Sequence, residues 1–281
     1  MKLASFKTAS GPTWGVIDGT EAIDIGAVLP AYPSIRAILE TGSLDAIKAA
    51  IPTAPRHALD TIIWLPVIPN PGKIICVGLN YENHRKETGR TEVGNPTIFG
   101  RFANSQTGHL APMIRPKVSN DFDYEGELAI VIGTPGRYIK REDAMAHIAG
   151  YACYNEGSVR DYQRHTHQFT PGKNFPDTGS FGPWMVTPDE MGAIGPQRLQ
   201  TRVNGMVVQD ALLEQMIFDI PTQIEYCSAF TRLEPGDVIV TGTPGGVGSR
   251  REPPLWLKPG DIVEVEIEKV GLLRNPVTQE A

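Results

Sequence analysis

Asp121-Phe-Asp-Tyr-Glu125-Gly-Glu127-Leu-Ala-Ile-Val-Ile-Gly133 is the stretch whose reading decides the fold. From Leu128 to Ile132 it is apolar at every position and rich in β-branched residues, the composition of a strand covered on both faces. Glu125 and Glu127 stand two residues apart at the mouth of that run, so on a strand both point to one side. Two like charges beside a core need an offset. An oxygen-seeking divalent cation such as Mg²⁺, Mn²⁺ or Ca²⁺ provides one, because it cancels the mutual repulsion and the desolvation together. The spacing fits equally well a pair of glutamates facing solvent from an edge strand.

Around this segment the chain reads as many short strands. Gly (29) and Pro (24) make up almost a fifth of the 281 residues and fall between β-branched runs. Further strands are expected over Lys73 to Val77, Tyr151 to Tyr154, Val238 to Thr241 and Ile262 to Ile267. Arg202 to Val208 centres on Asn204-Gly205, the pair that a two-residue type I′ hairpin turn prefers, since both positions need positive φ. The turn Leu-x-Pro-Gly-Asp occurs at Leu233 to Asp237 and again at Leu257 to Asp261. Helical periodicity is limited to Ile35 to Ala50, Arg141 to Ile148 and Glu214 to Phe230, with Pro221 expected to break or kink the last. The fold class is therefore α+β and strand-dominated. Three prolines and a glycine in Pro66 to Gly72 mark a boundary between a small N-terminal αβ domain, residues 1–70, and a domain of residues 71–281 that carries the chemistry.

Three segments of that larger part end a strand in polar residues. In Ile75 to Glu87, a short helix from Tyr81 to Thr88 would set His84 and Glu87 three apart on one face, where a carboxylate orients an imidazole as a general base. A solvated helix with an incidental contact is the plainer alternative. In Gly150 to Gln163, Glu156 at a strand end can complete a three-carboxylate cation site with Glu125 and Glu127. Arg160 and Gln163, again three apart, offer a guanidinium fork and an amide to an anion. Lys173 and Thr243 add a cation and a hydroxyl beside glycine-rich backbone.

Other chemistries are excluded or disfavoured. A net charge of −6 gives no basic field for nucleic acid. No apolar stretch approaches the ~20 residues of a membrane span, and the chain is expected in the cytoplasm. Cys76, Cys153 and Cys227 are odd in number, widely spaced and set in apolar runs, which reads as buried free thiols. Gly242 to Gly248 lacks both the Walker order and the dinucleotide order, so nucleotide binding is rejected and a surface role expected. His165-Thr-His167 lacks a third zinc ligand, and it too is expected at the surface.

Together these segments resemble the fumarylacetoacetate hydrolase family over roughly Pro71 to Val277. The resemblance is carried, in the family's order, by Gly78-Leu-Asn-Tyr-Glu-Asn-His84 with Glu87, Tyr124-Glu-Gly-Glu-Leu-Ala, Asn155-Glu-Gly-Ser-Val-Arg-Asp-Tyr-Gln163, Gly172-Lys-Asn-Phe with Gly182-Pro-Trp, and Thr241-Gly-Thr-Pro-Gly-Gly-Val-Gly248. It implies a mixed β-roll with peripheral helices, usually a homodimer, binding Mg²⁺, Mn²⁺ or Ca²⁺. His84 and Glu87 fall at the water-activating dyad, on a segment that in relatives is often a mobile lid. Glu125, Glu127 and Glu156 fall at the metal-ligand positions. Arg160, Gln163, Lys173 and Thr243 fall where a substrate carboxylate and oxyanion are held, Lys173 also serving catalysis. Two positions depart from the pattern. Glu156 stands where relatives generally have Asp, so its extra methylene must push an ion aside or reach it through water. Arg101 stands where a Lys is usual and is expected to reshape the substrate pocket wall.

The implied reaction is metal-dependent hydrolysis of a C–C bond in a 1,3-dicarbonyl 2-oxo acid of the acylpyruvate type. Isomerisation of an unsaturated 2-oxo diacid and decarboxylation of an oxaloacetate-like acid use the same enolate chemistry. A catalytically silent dicarboxylate binder is the rival of another class.

Overall fold

The structure, a computed structural model, describes residues 1–41, 44–89 and 94–281. Among these, twelve strands form one mixed sheet. Its order is Arg56–Ala58, Glu21–Asp24, Gly11–Asp18, Lys2–Thr8, Gly179–Val186, Ile148–Asn155, Gly126–Ile132, Val238–Val240, Ile74–Gly78 and Thr97–Arg101. Ile63–Trp64 and Gln106–Thr107 pair alongside Lys2–Thr8 and Gly179–Val186. A second sheet of five strands contains Met206–Leu212, Arg198–Val203, Ile262–Ile267, Gly271–Gln279 and Met113–Arg115. The fold is strand-dominated with helices at its periphery, as expected.

Gly126–Ile132 lies between Ile148–Asn155 and Val238–Val240. That position removes the edge-strand alternative for Glu125 and Glu127. The strand's side chains alternate between two cores: Leu128, Ile130 and Ile132 join one, while Ala129 and Val131 join the other. The second core also takes Leu3, Trp14, Ile23, Ile35 and Ile47, and Leu3 pairs with Met185 across the sheet. Strands from residues 1–70 therefore continue the same sheet and back the same face as the central strands.

The Asn204-Gly205 hairpin forms with φ of 51° and 80°, as its turn chemistry predicts. Both Leu-x-Pro-Gly-Asp turns share one construction. Gly236 and Gly260 take φ of 83° and 95°, and the carboxylates of Asp237 and Asp261 accept from the backbone N–H of Glu234 and Lys258.

Of the expected helix from Ile35 to Ala50, Ile35–Thr41 and Leu44–Ala50 are helical, and residues 42 and 43 lie outside the described residues; the other helices need correction. Arg141–His147 is a 3₁₀ helix. Pro221 neither breaks nor kinks a helix: it sits in the first turn of Ile220–Phe230, where its missing N–H costs nothing, and Asp219 caps that helix by accepting from Thr222 N–H.

Candidate active site

The register of two strands assembles the carboxylates. Gly126 pairs with Asn155, so the antiparallel ladder continues to Glu125 opposite Glu156, and Glu156 N–H donates to Glu125 C=O at 2.8 Å. Glu127 pairs with Tyr154 two residues along. Period two puts all three carboxyls on one face at the end of the sheet. Their oxygens lie within 4.8 Å of one another and all three residues are buried.

Neighbouring strands close the site. Val238–Val240 runs parallel to Ile74–Gly78, with Val240 beside Cys76, so both chains emerge next to the carboxylates. The first continues into the glycine-rich loop and the second into the helix Glu82–Glu87. Asn80 ties them, donating to Thr241 C=O at 2.7 Å and accepting from Phe218 N–H at 2.7 Å. The helix brings His84 Nδ1 to 2.7 Å from Glu87 Oε1. Glu87 Oε2 in turn accepts from Gly246 N–H at 2.9 Å. The dyad is therefore fixed to the loop rather than solvated.

The cations face the carboxylates directly. Lys173 Nζ donates to Glu125 Oε2 at 2.6 Å and to Glu156 Oε2 at 2.7 Å. Arg160 reaches Glu125 Oε1 at 2.7 Å through Nη1 and Asp123 Oδ2 at 2.7 Å through Nε, and its Nη1 also donates to Gln163. Burial would raise the Glu125 carboxyl, but the charges of Arg160 and Lys173 hold it below the usual range. Glu127 goes the other way: burial first, then the charges of Glu156 and Glu125, push it well up. Glu156 is also raised, chiefly by burial. Its Oε1 is buried without a hydrogen-bond partner, 4.0 Å from the Arg101 guanidinium. An orphaned carboxylate oxygen beside a Glu127 that has no direct ion pair among the described residues leaves negative charge for a cation to offset, so the donor set fits a hard divalent ion.

A cleft of about 400 Å³ opens over this cluster. Of the residues singled out in the sequence, His84, Glu125, Glu127, Glu156, Arg160, Gln163, Lys173 and Thr243 line it. Glu87 stands behind His84. Arg101 does not line the cleft, contrary to expectation: its guanidinium is turned into the protein, donating to Gly157 C=O at 3.0 Å and to Ser105 and Thr178. A planar fork with five donors finds partners on the far side of Glu156 rather than on a ligand.

Two motifs set aside in the sequence belong here. The loop 242–248 is largely buried and supplies N–H donors to carboxylates: Gly242 to Glu127, Gly246 to Glu87 and Gly248 to Asp123. His165 and His167 are both exposed, as expected; His167 lines the cleft mouth and His165 stacks on Tyr162. Asp123 was missed. Fully buried, it accepts from Tyr124, Gly248 and Ser249 N–H and from Arg160 Nε. The thiols are spectators, with Cys153 and Cys227 pushed by burial up to about 12.

A mixed sheet whose central strands gather buried carboxylates at one end, beneath an oriented imidazole, defines the structural class. Residues 73–278 match the fumarylacetoacetate hydrolase C-terminal family model. The chain belongs to the fumarylacetoacetate hydrolase family. It is 39% identical to the mitochondrial oxaloacetate tautomerase fahd2 of Xenopus laevis, over 99% of this chain and 90% of that protein. The fumarylacetoacetate hydrolase of Exiguobacterium antarcticum superposes with a TM-score of 0.87 at 34% identity, both chains fully covered. Maleylpyruvate hydrolase from Sphingobium sp. SYK-6, solved with manganese(II) and pyruvate, superposes with a TM-score of 0.85 at 30% identity, again over the whole of both chains. Among the described residues no helix is long and apolar enough to cross a membrane.

Proposed function

We propose that this protein interconverts the keto and enol forms of a short 2-oxo diacid of the oxaloacetate type, with Mg²⁺ or Mn²⁺ held by Glu125, Glu127 and Glu156. The observation that carries this reading is that His84, held from behind by Glu87, lines the same cleft as the carboxylate cluster. The oxaloacetate tautomerase activity of the frog relative supports it, as does the manganese(II) bound in the Sphingobium enzyme.

An ion at the three glutamates supplies Lewis-acid polarisation of the 2-oxo group, which makes the neighbouring C–H bond more acidic. The side chains do the rest. With Nδ1 engaged by Glu87, His84 uses Nε2 to take a proton from carbon 3, and Glu87 stabilises the imidazolium that forms. The C–H electron pair moves to the 2-oxygen, which then takes a proton, so nothing is added to or lost from the substrate. Arg160 and Lys173 place positive potential around the oxygen on which charge develops. Gln163 and Thr243 offer it polar contacts.

A second reading is hydrolysis of a C–C bond in an acylpyruvate, with the same dyad activating water. The completeness of the dyad favours it over decarboxylation, which needs no base. The test is the ultraviolet decay of enol-oxaloacetate with Mn²⁺, run beside a panel of acylpyruvates. Turnover of the enol is expected, and His84→Ala should lower it about 10²- to 10⁴-fold while Mn²⁺ still binds. Cleavage of acylpyruvates without enol decay would replace this reading by the second, and binding without turnover of either would make the protein a silent binder. We also propose a homodimer, read by sedimentation, and a cytoplasmic location, read by fractionation; the frog relative is mitochondrial.

A further inference from the structure

The rim of the cleft carries two arginines that the chemistry above does not use. Arg164 closes the helix Arg160–Arg164, four residues beyond Arg160 and so on the same face. Arg250 ends the 3₁₀ turn Gly248–Arg250, which leaves the glycine-rich loop. Both are exposed, both line the cleft, and neither has a carboxylate within ion-pair distance among the described residues. Asp123, a buried carboxylate whose charge reaches Arg164, already accepts from four donors. Those donors belong to both arms: Arg160 Nε from the helix, and Gly248 and Ser249 N–H from the turn. Asp123 thus locks the two arms together and holds Arg164 and Arg250 at neighbouring positions. Burial and then the like charges of Arg160 and Arg250 depress the Arg164 guanidinium, outweighing the opposing charges of Asp121 and Asp123.

We propose that Arg164 and Arg250 form the subsite for the second carboxylate of the substrate, selecting a diacid over a monoacid of the same head group. The proposal rests on the functional reading above for the position of the 2-oxo acid head, at the glutamate cluster on the cleft floor. A carboxylate at the other end of a short chain then meets the only cations at the mouth that lack a partner among the described residues. Guanidinium forks are suited to that task, since they bind carboxylates in a bidentate manner.

The experiment compares two non-reacting ligands that share a head group and differ in the distal carboxylate, malate and lactate, titrated calorimetrically into the Mn²⁺-loaded protein. Wild type is expected to bind malate at least tenfold more tightly. Arg164→Gln/Arg250→Gln should bring the two affinities together by weakening malate alone, and Arg164→Lys should keep part of the preference. In turnover, each single Gln variant should raise KM for oxaloacetate about tenfold and leave kcat nearly constant. Equal binding in wild type, a preference that survives the double substitution, or equal weakening of both ligands would each overturn the subsite. Since malate and lactate do not react, a chain that fails to turn over oxaloacetate but keeps the arginine-dependent preference refutes the reaction and not the subsite.

Discussion

Glu156 and Arg101 show how a residue's type and its place part company. The type of Glu156 was legible, a carboxylate at the end of an apolar strand, and its longer arm still reaches the cluster. Arg101 was read as a cation of the pocket wall, but its turn away from the cleft was not legible, because its partners Ser105, Gly157 and Thr178 come from three other segments. His109 gave no signal at all. Its half-buried ring accepts from Arg274 N–H and meets Trp64 edge-on, so burial, aided by the Arg274 charge, lowers it from 6.5 to about 4. Between those values the unfolded chain binds a proton that the folded chain refuses. Stability should therefore be complete above pH 6.5 and fall as the pH drops towards 4, by on the order of 2 kcal/mol from this residue. His109→Asn, which keeps an acceptor but does not titrate, should flatten the melting temperature against pH across that window. An unchanged slope would refute the assignment.

Elements were easier to find than their joints. Strand periodicity and the Asn204-Gly205 pair located the central strands and the hairpin, because both signals are local. Pro221 was misjudged since a proline at the first turn and one in the middle look alike until the cap is found, and Asp219 was the missing cue. The glycine-rich loop was misjudged for a different reason: its donors find Glu87, Asp123 and Glu127 only in three dimensions. Gly242 is where that loop packs against Asn80. At φ 105°, a Cβ there would stand 2.5 Å from Asn80 Cβ and 2.9 Å from Val77 C=O. Gly242→Ala should push Asn80, and the helix bearing His84, away from the carboxylates. We expect kcat to fall at least tenfold, with ~1–2 kcal/mol of backbone strain added. Wild-type kinetics in that variant would show that the loop does not position the dyad.

At the scale of the molecule, the first 70 residues are part of the wall behind the cation site. Leu3, Trp14 and Ile35 share a core with Ala129 and Val131, and Lys2–Thr8 covers one side of Gly179–Val186. Residues 71–281 expressed alone should therefore aggregate or melt far below the whole chain, having lost half of that core and exposed a strand edge. A soluble, cooperatively melting fragment would establish the two-domain division read from Pro66 to Gly72. Chelation tests the other side of that wall. Stripping divalent ions should abolish turnover and lower the melting temperature, and Mn²⁺ at a hundredfold its Kd should restore about 2.7 kcal/mol. The pairing of Gly126 with Asn155 has a last consequence. Because strands count in twos, one inserted amino acid between Gly126 and Leu128 would send a glutamate to the opposite layer and dismantle the catalytic floor in a single event. Spelling can drift along those two ribbons, but their length cannot.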